Sequence, residues 1–223
     1  MKHIVILTGA GMSAESGLKT FRDANGLWEG HNVMEVASPE GYHANPELVL
    51  EFYNQRRKQL LAVEPNAAHF DLVALERDYK VSIITQNVDD LHERAGSSNV
   101  LHLHGELLKV RSTNNEALTK SWTSDLNLGD LDDNGYQWRP HIVWFGEAVP
   151  LMDQAIAICS TADILIIIGT SMQVYPAASL MHYVPEKTAT FYIDPNPAIG
   201  STTQLTVIKD TATRGVKKCI SLL

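Results

Sequence analysis

The chain begins with an apolar run, His3-Ile4-Val5-Ile6-Leu7, whose β-branched content and shortness predict a buried parallel strand that stops at Gly9. Further runs of this kind lie at Val81–Thr85, Val100–Leu103, Ile164–Ile168 and Ala189–Ile193, of which Ile164–Ile168 is the most apolar. Between them the spacing becomes helical. Pro46–Val63 carries Leu48, Phe52, Gln55, Gln59 and Leu60 at mixed helical intervals, with Pro46 suited to a first turn. A second helix is expected from Asn66, with Phe70, Val73, Ala74 and Leu75 on a broad apolar face, and others at Met152–Ala162 and Ala177–Tyr183. Strand and helix alternate without an internal repeat, which predicts an α/β fold with a parallel sheet covered by helices on both faces.

Two intervals break the alternation. Gly30–Val63 is helical where a second strand is expected, and Gly105–Pro140 has a loop-like density of Asn, Asp, Ser, Thr and Gly, including Asp130-Leu131-Asp132-Asp133-Asn134-Gly135. Both predict a small lobe, about residues 30–63 and 105–140, inserted in a single domain of 223 residues. A cleft between that lobe and the carboxyl ends of the strands is where an open α/β sheet binds ligands.

The residues at the strand ends suit such a cleft. In Gly9-Ala10-Gly11-Met12-Ser13-Ala14 the glycine spacing is that of a dinucleotide turn, where missing side chains admit a pyrophosphate to the backbone, although a tight turn without a ligand has the same appearance. An ordinary Rossmann unit would place a second strand and an acidic residue about 20 positions on. Here that interval is the polar stretch Thr20–Trp28, a loop able to fold over a dinucleotide with Arg22 as its fixed cation and Phe21 as a wall against water. Val81–Ile84 delivers Thr85-Gln86-Asn87-Val88-Asp89, whose amides and carboxylate fit an amide and a ribose but also fit a capped helix start. Ile164–Ile168 delivers the small residues Gly169-Thr170-Ser171. Val100–Leu103 ends in His104-Gly105, and an imidazole with a pKa of about 6.5 accepts a proton at neutral pH. His102, on the same strand face, reads as a structural histidine. Neither Ser13 nor Ser171 lies in a G-x-S-x-G elbow, which excludes a hydrolase triad of that type.

A formal net charge of −8 disfavours nucleic acid as a partner; it would suit a basic protein partner, although most acidic proteins are merely soluble. The two cysteines, Cys159 and Cys219, both fall in apolar segments and read as buried free thiols in a reducing compartment. The N-terminal apolar run of five residues is too short for a signal-peptide core or a membrane span, so a cytoplasmic location and no membrane partner are expected.

Gly9-Ala10-Gly11-x-Ser13-x-x-Ser16-Gly17 followed by Phe21-Arg22 resembles the signature of the sirtuins, NAD-dependent protein-lysine deacylases. Gln86-Asn87-Val88-Asp89, His102-Leu103-His104-Gly105, Pro140-His141-Ile142-Val143-Trp144-Phe145-Gly146-Glu147 and Gly169-Thr170-Ser171 resemble further sirtuin motifs in family order, so the resemblance covers nearly the whole chain. It implies a Rossmann-like fold, with His104 as general base. By the same resemblance NAD is held by Gly9, Ala10, Gly11, Ser13, Ser16, Phe21, Arg22, Trp28, Gln86, Asn87 and Asp89, and by Gly169, Thr170 and Ser171 at its phosphates and ribose. Val143, Trp144, Phe145 and Gly146 would lie beside an acyl-lysine peptide bound as an added strand.

The chain departs from the family in two places. Asp194-Pro195-Asn196 stands where sirtuins commonly place Asn first, and Asp194 can still accept from a ribose diol, with Asn196 beside it. Most sirtuins hold zinc with four cysteines after the catalytic histidine, whereas Gly105–Pro140 has none, with Ser112 and Asn115 where the first pair would stand. No zinc is expected, and Trp122, Tyr136 and Trp138 are the large residues able to replace it by packing. Tyr53 shares a helix face with both Arg56 and Arg57. The match of Tyr53-Asn54-Gln55-Arg56 to the Tyr-x-x-Arg of desuccinylating sirtuins selects Arg56 as the carboxylate partner. Mono-ADP-ribosyl transfer or NAD hydrolysis is the nearest alternative activity, and a noncatalytic NAD-binding module the second.

Overall fold

The computed structural model describes residues 1–19, 27–28 and 30–223. Phe21 and Arg22 lie outside the described residues. In chain order the strands are β1 (His3–Thr8), β2 (Leu27–Trp28), β3 (His31–Asn32), β4 (Lys80–Thr85), β5 (Val100–His102), β6 (Gly105–Ser112), β7 (Thr119–Ser121), β8 (Trp138–Ile142), β9 (Ile164–Ile168), β10 (Ala189–Ile193) and β11 (Leu205–Ile208). The helices are α1 (Val33–Val36), α2 (Pro39–Ala44), α3 (Pro46–Leu61), α4 (Ala67–Leu75), α5 (Leu91–Ala95), α6 (Met152–Cys159) and α7 (Ala212–Ile220). Ala177–His182, expected as an α-helix, is a 3₁₀ helix.

Six strands form a parallel sheet in the order β11-β10-β9-β1-β4-β5. The chain leaves β1 toward β4 and β5, then returns to its other edge with β9, β10 and β11, so the topological switch lies between β1 and β9. Alternation is strict. Ile4 and Ile6 pack with Ile166, Ile193 and the inward residues of α4 and α7, while Val5 and Leu7 pack with Leu165, Ile167 and Ala155 and Cys159 of α6. Two layers of helices therefore exclude water from both faces, and the open edge of the site is left to the strand ends.

The sequence pattern misplaces the face of α4. Its buried residues are Ala68, His69, Leu72 and Leu75, whereas Phe70 is 51% exposed. A helix of nine residues with apolar side chains on several sides gives no sharp phase, and contact with α7 decides it. β11 and α7 were not among the expected elements.

The interval 105–140 is also more regular than its composition suggests. β6 pairs antiparallel with β7 and with β8, giving a three-stranded sheet. Gly105 sits at φ +84°, where a Cβ would strike the carbonyl oxygen of His141, so the bend from β5 into β6 requires glycine. Against this sheet lies α3, begun by Asn45, whose side chain accepts from Leu48 N–H, with Pro46 in the first turn. Leu50, Val110, Leu126 and Trp138 form one small core, and Val49, Phe52, Tyr53, Leu60, Leu107, Ile142 and Trp144 contribute to another. Of the three aromatics expected to fill this region, Trp138 is buried and Trp122 half-buried. Tyr136 is 45% exposed and contributes no such packing, which corrects that expectation.

Candidate active site

A cavity of about 640 Å³ runs along the carboxyl ends of β1, β4, β9 and β10, between the parallel sheet and the small antiparallel sheet. Its floor is made by two turns that interlock. Gly9 N–H donates to Ile168 O (3.0 Å) and Gly11 N–H to Gly169 O (2.9 Å). A Cβ on Gly11 would lie 2.6 Å from Gly169 Cα, so glycine is required here by the approach of one backbone to the other as well as by any phosphate. The sequence pattern left ligand access and a tight turn as alternative reasons for the glycines, and the structure adds the packing of one turn on the other. Gly9, Ala10, Gly11 and Ser13 line the cavity from one turn, and Gly169, Thr170 and Ser171 from the other.

Beyond the floor, β4 delivers Gln86, Asn87 and Asp89 into the same cavity. Asn87 Nδ2 donates to Gly9 O (3.1 Å) and Ser13 Oγ (3.2 Å), and Ser13 Oγ–H donates to Asp89 Oδ2 (2.9 Å). This network couples the first turn to the strand beside it. Burial pushes the Asp89 carboxyl up to about 6, against the Ser13 hydroxyl and Leu91 N–H that favour its charge. Gln86 Nε2 donates to Thr170 Oγ1 (3.2 Å), and Tyr192 O–H donates to Thr170 O (3.0 Å). Asp194 and Asn196 line the far end, Asn196 N–H donating to Asp194 Oδ1 (2.8 Å). Trp28 lines the opposite wall and meets Phe52 edge-on at 4.9 Å.

Ser16 is not among the lining residues. Its hydroxyl accepts from Asn66 Nδ2 (3.0 Å), which also donates to Met12 O (2.9 Å), so it braces the turn from behind.

His104 faces the cavity from the turn between β5 and β6. Its Nδ1 lies 3.1 Å from Gln86 O. A carbonyl only accepts, so Nδ1 carries the proton and Nε2 retains its lone pair. Burial holds the imidazole below its ordinary pKa, partly offset by the Gln86 carbonyl. Neutral at pH 7, with one fixed tautomer, it is equipped to take a proton. His102 has both nitrogens engaged, Nδ1 with Asn87 O (3.1 Å) and Nε2 with Glu93 Oε1 (2.7 Å), and belongs to the scaffold.

The outer end is built by α3 and the segment after β8. Tyr53, Arg56, Val143, Trp144, Phe145 and Gly146 line it together. Val143 N–H donates to His104 O (2.9 Å) and Phe145 N–H to Ala37 O (2.9 Å), which fixes this segment beside the histidine. Arg57 does not line the cavity. It is buried, donating to Asn54 Oδ1 (2.8 Å) and Ser124 O (3.3 Å), whereas Arg56 lies over the Phe52 ring at 5.1 Å and borders the cavity. The spacing argument that left the two arginines open is resolved by which side of α3 each occupies. Glu147 and the stretch Val174–Pro176 also line the cavity. Glu147 stood at the end of a quoted motif without a role, and 174–176 carried no signal.

Among the described residues, no group of three or more His, Cys, Asp or Glu could hold a metal ion. Ser112 Oγ accepts from Asn114 N–H (3.1 Å) and Asn115 Oδ1 from Ala117 N–H (3.1 Å), so both shape local turns. Cys159 and Cys219 are buried in the two faces of the parallel sheet.

A parallel sheet with a glycine turn at its switch point and a histidine beside an open peptide-like edge defines a class, and the chain belongs to the Sir2 family, whose model matches residues 9–176. It is 64% identical over 195 residues to an NAD-dependent protein deacylase of Helicobacter pylori, covering 87% of this chain and 85% of that one. An NAD-dependent protein deacylase of Bacteroides thetaiotaomicron is 51% identical over 230 residues, covering 100% and 98%. A solved complex of a Sir2 homolog with NAD superposes with a TM-score of 0.88 at 38% identity, covering 99% of this chain and 89% of that one.

Proposed function

We infer that this protein is an NAD-dependent protein deacylase acting on acyl-lysine side chains, and that it accepts acidic acyl groups such as succinyl and malonyl as well as acetyl. The observation that carries the reading is His104, tautomer fixed by Gln86 O, at the junction between the interlocked glycine turns and the pocket bordered by Tyr53 and Arg56. The donor set fits NAD: a floor without side chains for a pyrophosphate, paired amides and carboxylates for nicotinamide and ribose, and a volume in the usual range for ligand pockets. NAD supplies a ribose carbon that accepts the acyl oxygen as nicotinamide departs.

The chain's own residues do the rest. Gln86, Asn87 and Asp89 orient the nicotinamide end beside His104. His104 Nε2 takes a proton from a ribose hydroxyl, one water is consumed as the lysine amine is released, and the proposed products are nicotinamide, free lysine and O-acyl-ADP-ribose. Phe145 borders the entrance and limits the access of bulk water to the reacting carbon while nicotinamide departs. The single catalytic domain with its small lobe, and a cytoplasmic setting, are parts of the same proposal. Two buried free thiols, Cys159 and Cys219, are compatible with that compartment.

The test is kinetic. Acetyl- and succinyl-lysine peptides of one sequence are incubated with NAD, and every product is weighed by mass spectrometry. Arg56→Met should lower succinyl turnover efficiency by roughly 10- to 100-fold and acetyl far less, as expected for loss of one charge-assisted contact. Equal losses would assign Arg56 to support of the lobe. Products of ADP-ribosyl transfer or simple NAD hydrolysis would overturn the deacylase reading itself.

A further inference from the structure

Tyr53 is fully buried within the small core and is also among the residues that line the cavity, and Trp144 Nε1–H donates to its hydroxyl at 2.9 Å. An indole nitrogen is a donor only, so the phenolic oxygen is the acceptor in this bond and its own proton must go elsewhere. No other hydrogen bond of that hydroxyl occurs among the described residues. Burial pushes the phenol above its ordinary pKa, against the Trp144 N–H, so the proton is retained at neutral pH. The outcome is an O–H donor whose acceptor side is already occupied.

Trp144 is held from several directions. Its backbone N–H donates to Glu147 Oε2 (2.8 Å), and the Arg139 guanidinium lies 3.4 Å from its ring centroid. The Tyr42 ring packs at 5.2 Å and 40°. Glu147 is gripped by Arg139 (2.7 and 3.1 Å) and by Arg111 (both contacts 3.0 Å), while Arg139 Nη2 also donates to Ile142 O (3.0 Å). The indole N–H is therefore aimed by a partly buried Arg–Glu–Arg cluster and has little freedom to turn away. With a side chain 2% exposed, Trp144 offers a substrate little surface of its own.

We propose that Trp144 is a positioning residue for acyl selectivity: by occupying the acceptor side of the Tyr53 hydroxyl, it presents that hydroxyl as a fixed donor to the distal carboxylate of an acidic acyl group. The proposal deepens, and rests on, the acidic-acyl reading above. Donation into the phenolic oxygen also strengthens its outgoing hydrogen bond. An acetyl group ends in a methyl and gains nothing from a donor at that place.

The experiment compares wild type, Trp144→Phe, Tyr53→Phe and the double variant on acetyl- and succinyl-lysine peptides of one sequence. Trp144→Phe keeps a ring against Arg139 and Tyr42 and removes the N–H. It should raise KM for the succinyl peptide by roughly 5-fold with a smaller change in kcat, and lower the succinyl-to-acetyl efficiency ratio by about 5- to 10-fold, the scale of one hydrogen bond. In the Tyr53→Phe background the same change should alter that ratio less than about 2-fold, because no hydroxyl remains to be oriented. A ratio unchanged in Trp144→Phe, equal losses on both peptides, or additive losses in the double variant would overturn the proposal. If Trp144→Phe does not fold, 3-benzothienylalanine at position 144 keeps the bicyclic shape without the N–H and is read by the same criteria. A wild type inactive on the succinyl peptide would overturn the acidic-acyl reading and this proposal with it. A succinyl-selective wild type with an unchanged ratio in the variant would overturn this proposal alone.

Discussion

The parallel sheet buries Ile4, Val5, Ile6 and Leu7 in unbroken succession, each against one of two layers of helices, while the small antiparallel sheet is assembled from isolated apolar residues and polar clamps. In the latter, Leu50, Val110, Leu126 and Trp138 are the buried members of one core cluster among the described residues, with Tyr42 and Trp122 packed against them. Around it Arg57 donates to Asn54, Asn54 joins Leu126 through both its N–H and its carbonyl, and Lys120 lies over the rings of Trp122 (4.8 Å) and Trp138 (4.5 Å). The small sheet has few apolar neighbours, and specific side-chain bonds carry the difference. Packed against it, α3 and the segment after β8 supply Tyr53, Arg56 and 143–146 to the cavity, whereas the glycine turns, the amides and His104 hang from the large sheet.

The comparison is open to direct tests. The largest effect is expected at Trp138, 4% exposed: Trp138→Ala should cost about 3–5 kcal/mol in unfolding free energy, since removal of a buried indole leaves a cavity that the surrounding strands cannot close. A cost below about 1 kcal/mol would mean that this sheet does not depend on its aromatic core. Elemental analysis of the same preparations should find no stoichiometric zinc, and one metal per chain would replace packing as the explanation.

Next in size is His104→Ala. It should leave the unfolding transition and NAD binding nearly unchanged and reduce deacylation by roughly 10²-fold or more, about 2.7 kcal/mol in the barrier. The base must be neutral to act, and its pKa is lowered in the fold. Efficiency should therefore rise with pH along an acid limb centred below the ordinary value of 6.5 and be level above it. A limb centred above 6.5, or near-normal turnover in the variant, would remove His104 from this role. Smallest is Lys120→Gln, which should lower stability by about 0.5–1 kcal/mol by removing a cation from two aromatic faces. A neutral result would assign the cohesion of this region to Trp138 and its apolar neighbours alone.

The two regions also differ in how far the sequence discloses them. Five apolar runs with small or polar residues after them announced the parallel sheet, because a strand buried on both faces needs no alternation and its ligand-facing end must be polar. Leu205–Ile208 escaped because Thr206 interrupts a short run. Ala212–Ile220 did carry a signal, with Ala212, Val216 and Cys219 recurring at helical spacing on one side. β6 was harder to see. Its buried positions, Leu107, Val110, Arg111 and Ser112, mix apolar with polar because charged side chains are satisfied there by Glu147 and local turns. Within the site, residue types at strand ends were legible, but their couplings were not. Ser13 with Asp89, and Trp144 with Tyr53, join residues 76 and 91 positions apart, and no local pattern records them. Ser16 shows the converse: a residue inside the motif that turned out to brace it.

The interlocking of Gly11 with Gly169 has a kinetic meaning. The floor of the cavity is made of two chain segments separated by more than 150 residues, and neither turn has its partner until β9 has docked beside β1 in register. Closing so long a loop carries an entropic cost, so this contact is expected to form after the nearer pairing of β1 with β4. In that order the first glycine turn would lack its partner during synthesis until Ile164–Ile168 has emerged. Competence for the cofactor should appear as one of the last events of folding, arriving together with the second half of the sheet.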